Sequence, residues 1–140
     1  MTTTNRRDEM RKVFYDAWRK HKEKSIVEPL EAMIIEVILS HPEYHDIFNH
    51  PENELEPELE AANPFLHISL HLALREQINT DSPKGIRLIY DNLCQKYPEK
   101  HMAEHQMLEC LKHILWEAQQ TESLPDEQYY LEVLQRIESM

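Results

Sequence analysis

The sequence predicts an all-α protein, a single-domain up-and-down bundle of about six helices over residues 1–140. Three observations carry this. The chain has one glycine, Gly85, too few for the tight turns that a strand-rich fold needs. Apolar residues recur three and four apart rather than alternating, which is the period of a helix face. Prolines 29, 42, 64, 83, 98 and 125 sit where helices could start, at first-turn positions whose N–H has no partner to lose. A length of 140 residues suffices for one core without disulfides and is short for two full domains.

The elements follow in order. Residues 6–24 put Met10, Val13, Phe14, Ala17 and Trp18 on one face of a first helix. From Pro29 to Ser40, Leu30, Met33, Ile34, Val37 and Ile38 form one stripe, with Ile35 and Leu39 extending it, so that helix is expected to be buried on most sides. A short helical turn is expected over residues 42–49. The stretch "NHPENELEPELEAAN", with two prolines and five glutamates, reads as an exposed, mobile acidic loop near residues 49–62. A central helix over residues 64–79 is capped by Asn63. The next starts at Pro83 behind Asp81 or Ser82 and turns Ile86, Ile89, Tyr90, Leu93 and Tyr97 inward. Residues 99–120 carry Met107, Leu108, Leu111, Ile114, Leu115 and Ala118, and a last helix from Pro125 carries Tyr129, Tyr130, Val133, Leu134 and Ile137. Trp18 and Trp116 read as core anchors. No internal repeat of solenoid period is present.

Charge narrows the function. A formal charge of −11 argues against nucleic acid, whose phosphates call for a basic surface. Eight Lys/Arg against four acids fall in residues 1–24, leaving −15 on the remainder. That basic first helix reads as a solvated face, or else as one that docks on an acidic partner. No stretch reaches the roughly 20 apolar residues of a membrane span, and the start "MTTTNRRDEMRK" has no signal-peptide core. With two cysteines, Cys94 and Cys110, in no zinc or redox spacing, a cytoplasmic location is expected. A chain with one glycine builds no phosphate-binding glycine loop, which excludes the usual nucleotide enzymes. Cys110, on the polar flank of its helix and near no base, is not expected to be a nucleophile.

The histidines carry the chemistry. In "NPFLHISLHLALREQ", His67 and His71 share an arc of about 100° with Leu70, Leu74 and Ile78, so two imidazoles face inward from an oily helix. His105 and Glu109 have the same spacing on a second helix, next to the apolar stripe, and His41 and His45 bracket Pro42 in "SHPEYH". Donors four apart on a helix meet at one point, as a metal ion requires. His67 and His71 with His105 and Glu109, completed by His41 or His45, make a ligand set for zinc or iron. A ferritin-like site would need a glutamate three residues before a histidine, and none is present. Glu76 and Glu117 fall away from these faces.

The spacing is similar to that of hemerythrin, a helical bundle whose half-sites are also His-xxx-Glu and His-xxx-His, with their order along the chain reversed here. A longer match covers most of the sequence. "FYDAWRK", "PLEAMIIEVILSHPEYH", "NPFLHISLHLALREQ", "HQMLECL" and residues 114–120 resemble a proteobacterial family designated domain of unknown function 1841. The resemblance implies a small helical protein with these histidine segments as hallmarks and implies no activity. Two readings of the residues stand. One is a metal-binding bundle carrying iron or zinc. The other is a non-enzymatic interaction or scaffold protein, with a structural His–Glu network and no metal, whose acidic loop or basic first helix meets a protein partner or a second copy in a homo-oligomer.

Overall fold

A computed structural model describes residues 6–51 and 64–140, with backbone alone at residues 6–8. Residues 52–63, which hold most of the expected acidic loop and the Asn63 cap, lie outside the described residues. Among those described there is no strand. The helices are α1 (Arg6–Lys22), α2 (Pro29–Leu39), a 3-10 turn (Pro42–Tyr44), α3 (His45–Asn49), α4 (Pro64–Thr80), α5 (Ile86–Lys96), α6 (Lys100–Gln120) and α7 (Glu127–Glu138). The all-α class expected from the period of apolar residues is what the chain has. No helix among the described residues is long and apolar enough to cross a membrane. Contacts group the chain into two compact units, Met1–Ser69 and Leu70–Met140, with the division inside α4.

In the first unit α1 packs on α2 and α3. Phe14, Ala17, Ile34, Val37 and Ile38, from the stripes read in the sequence, are fully buried, as is Ile68, which lay outside them, whereas Met10 of the first-helix stripe is exposed. Phe65, in the first turn of α4, stacks on Phe14 at 6.1 Å and meets Tyr15 at 5.7 Å and Phe48 at 5.5 Å. These aromatic contacts hold the first turn of α4 against α1 and α3. Lys20 of α1 pairs with Glu31 of α2 at 2.8 Å, and the same carboxylate accepts the Glu28 amide at 2.8 Å, closing the first turn of α2. Trp18 is a core anchor as expected, its indole N–H donating to Asn49 Oδ1 at 2.8 Å. Leu30 and Leu39 are exposed, so α2 is buried on one side rather than most.

In the second unit α5, α6 and α7 pack on one another around Leu74, Ile86, Leu93, Ala103, Met107 and Leu134. Tyr130 donates to Gln77 Oε1 at 2.8 Å, linking α7 to α4, and Asn92 donates to Glu138 Oε2 at 2.7 Å, linking α5 to α7. Asp126 caps α7 by accepting from the Tyr129 amide at 3.0 Å. Two anchors expected inside α6 are outside: Leu115 is exposed, as is Trp116 at 57%. The buried stripe runs through Met107, Leu108, Leu111 and Ile114, and position 116 lies about 140° around the helix from Leu111. Cys110 is buried rather than on a polar flank, and burial pushes its thiol up, with Glu109 adding to the effect, so an inert thiol remains the reading.

Helix α5 starts at Ile86, three residues later than the proline rule places it. Asp81 does cap this segment, but across a loop: its Oδ1 accepts from Gly85 N at 3.0 Å and Arg87 N at 3.1 Å. Those two backbone hydrogen bonds hold the Asp81 carboxyl below its ordinary value. Gly85 enters the helix at φ 105°, and a Cβ there would meet nothing within 4 Å. Gly85→Ala should therefore cost backbone strain alone, about 1–2 kcal/mol in urea unfolding. A neutral result would show that the turn relaxes to negative φ.

Candidate metal centre

His41 ends α2, and the following proline decides its role. A residue before proline is driven from the helical region, and His41 sits at φ −126°, ψ 74°. The ring folds back over the last turn of α2, with Nδ1 2.8 Å from the Val37 carbonyl. A carbonyl only accepts, so Nδ1 carries a proton, and in the neutral form of the ring the lone pair is on Nε2. That Nε2 lies 2.9 Å from Nε2 of His67. Tyr44 stacks on His41 at 5.1 Å and meets His67 edge-on at 6.1 Å, sheathing the pair. Burial, followed by the charge of Glu43, pushes the Tyr44 phenol up.

His67 and His71 are one turn apart on α4, an uninterrupted helix, so their rings leave the same face. His71 is fully buried, and its Nδ1 is 3.9 Å from Glu104 Oε1. Arg75, the next turn of α4, grips that carboxylate through Nε to Oε1 at 3.0 Å and Nη2 to Oε2 at 3.4 Å. Glu104 is 4% exposed. Burial alone would raise its carboxyl, but the hydrogen bonds and charge of Arg75, with the nearby His71 ring, outweigh it and hold Glu104 below the usual value. On α6, His105 lies 5.1 Å from the His71 ring and 4.0 Å from His101, and His101 stacks on His71 at 5.5 Å.

One ring nitrogen each from His41, His67, His71 and His105 lies within 4.8 Å of the other three. Nitrogens bound to one ion in a tetrahedron of about 2.0–2.1 Å bonds stand about 3.3–3.4 Å apart. Two of the rings are buried and two half-buried. The expected ligands thus divide. His41, His67, His71 and His105 come together. His45 turns away, with Nε2 2.9 Å from the Ile38 carbonyl and its ring 4.9 Å from Trp18. Glu109 is 74% exposed and faces Lys112 at 3.6 Å.

Sequence reasoning missed His101, Glu104 and Arg75. The signal was present: "HMAEH" repeats the four-residue histidine spacing, and Glu104 precedes Met107, Leu108 and Leu111 by three, four and seven residues. That places Glu104 on the buried stripe, where a carboxylate requires a partner.

A family model described as Domain of unknown function (DUF1841) matches residues 6–136. No curated protein and no solved structure matches the chain.

Proposed function

We propose that this chain, which belongs to the DUF1841 family, binds one transition-metal ion, zinc or iron, through His41, His67, His71 and His105. The observation that carries this is the gathering of four imidazole nitrogens within 4.8 Å of one another. Imidazole suits zinc, iron, copper and nickel, and a buried neutral ring with its other nitrogen hydrogen-bonded is what such an ion takes. His41 meets that condition through Val37. Such an ion would act as a Lewis acid or as a structural tie; this chain's residues supply the nitrogens and a largely water-excluded setting. One helix carries both His67 and His71, so we take the ion to serve a single functional domain over residues 1–140.

A second reading has one observation in its favour. The 2.9 Å separation of the His41 and His67 Nε2 atoms also suits an N–H···N hydrogen bond. In that case the histidines form a polar network in a protein that acts as a scaffold. Elemental analysis of protein purified without a metal-affinity tag separates the two. The metal reading expects close to one zinc or iron per chain. Protein that is metal-free as purified, and that takes up neither ion on dialysis, would leave the scaffold reading.

A further inference from the structure

From the Arg75–Glu104 pair we infer that the centre is a nitrogen-only site, selective for a zinc-class ion, in which Glu104 is a positioning residue for His71 and not a ligand. This rests on the metal reading above and says which ion the site takes. The sequence offered a carboxylate ligand in Glu109, which would have suited a two-histidine, one-carboxylate iron site. Glu109 is exposed. The carboxylate that does reach the histidines is Glu104, and both its oxygens are engaged by Arg75 at 3.0 and 3.4 Å. A guanidinium fork that grips a buried carboxylate holds it in a fixed plane and opposes its transfer to a cation.

What Glu104 can do from there is act on His71. Its Oε1 lies 3.9 Å from Nδ1, beyond hydrogen-bond distance but near enough for its charge to act on that nitrogen, which leaves Nε2 as the one to bind an ion. A carboxylate on that side favours the proton on Nδ1, frees Nε2 and strengthens it as a donor. His41 has a closer partner on its far nitrogen, the Val37 carbonyl at 2.8 Å. His41 is thus set by a hydrogen bond on its far nitrogen and His71 by the nearby charge of Glu104, and neither Glu104, held by Arg75, nor the exposed Glu109 is placed as an oxygen donor to the ion. Four imidazoles without a carboxylate suit zinc and cobalt(II), and poorly suit magnesium, calcium or manganese, which favour oxygen.

The test uses the full chain stripped of metal. Zinc and manganese(II) affinities are measured in competition with a chromophoric chelator, and cobalt(II) is added as a spectroscopic probe. Zinc should bind at least 100-fold more tightly than manganese. Bound cobalt should show the intense visible bands of a four-coordinate ion, which lacks the inversion symmetry that makes six-coordinate cobalt pale. In Glu104→Gln, zinc affinity should fall at least tenfold with the cobalt bands unchanged, since the residue acts from behind His71. A zinc-to-manganese ratio below 100, pale cobalt, a cobalt spectrum altered by Glu104→Gln, or a loss of zinc affinity under tenfold would each overturn the inference while leaving metal binding intact. Wild-type protein that binds neither zinc nor cobalt would instead overturn the metal reading itself. The wild-type measurements decide the matter even if Glu104→Gln fails to fold.

Discussion

Replacing Arg75 by leucine should destabilise the metal-free protein by about 3–5 kcal/mol, because it strands a charged carboxylate in the core. Glu104 is 4% exposed, and Arg75 gives it two hydrogen bonds, the shorter at 3.0 Å. The other partner, His71, is 3.9 Å away and does not replace them at that distance. In a domain of this size the loss corresponds to a melting temperature lower by on the order of 10–20 °C. The double variant Arg75→Leu with Glu104→Leu should recover much of it, since an apolar pair of similar volume avoids the desolvation of both charges. Urea unfolding of the single and double variants in chelator checks both statements. A single-variant loss under about 1 kcal/mol would mean that the pair behaves as a surface ion pair.

The same pair shows how far the sequence could be read. Helix identity came from the period of apolar residues, and the faces of α1, α4, α6 and α7 that period selects are largely the buried ones, at Phe14, Leu74, Leu111 and Leu134. The four converging histidines were legible for a related reason: His67, His71 and His41 continue inner stripes, so spacing and burial pointed the same way. They disagree at Glu109 and His45. Glu109 satisfies the four-residue ligand spacing from His105, but spacing along a helix does not say which side packs. The stripe through Met107, Leu108 and Leu111 turns Glu104 inward and Glu109 outward. At His45 the spacing from His41 crosses Pro42, where α2 has ended. Across that break two residues four apart no longer share a helical face. Proline marked the boundary well at Pro29 and less well at Pro83, because the Asp81 side chain and the positive φ of Gly85 delay α5 to Ile86.

His71→Ala should abolish the stabilisation that metal gives. His71 is fully buried, one turn from His67 on α4 and 5.1 Å from the His105 ring. If the four nitrogens hold an ion, wild-type protein with free metal at about 1,000 times its dissociation constant gains about 4 kcal/mol over the stripped form. That gain appears as a melting temperature that a chelator lowers by on the order of 10–20 °C. Removing one ligand of four weakens binding enough to erase most of the difference. The variant also loses the interaction with Glu104 and leaves a hole beside Leu70 and Leu74, which costs about 1–3 kcal/mol in the stripped protein as well. The two contributions separate when melting is measured for wild type and variant, each with and without chelator. The metal reading expects a large chelator effect in wild type and almost none in His71→Ala. The polar-network reading expects no chelator effect in either protein, and the same penalty for the substitution under both conditions. A wild type that melts at the same temperature after prolonged incubation with excess chelator would assign His71 to the core network alone.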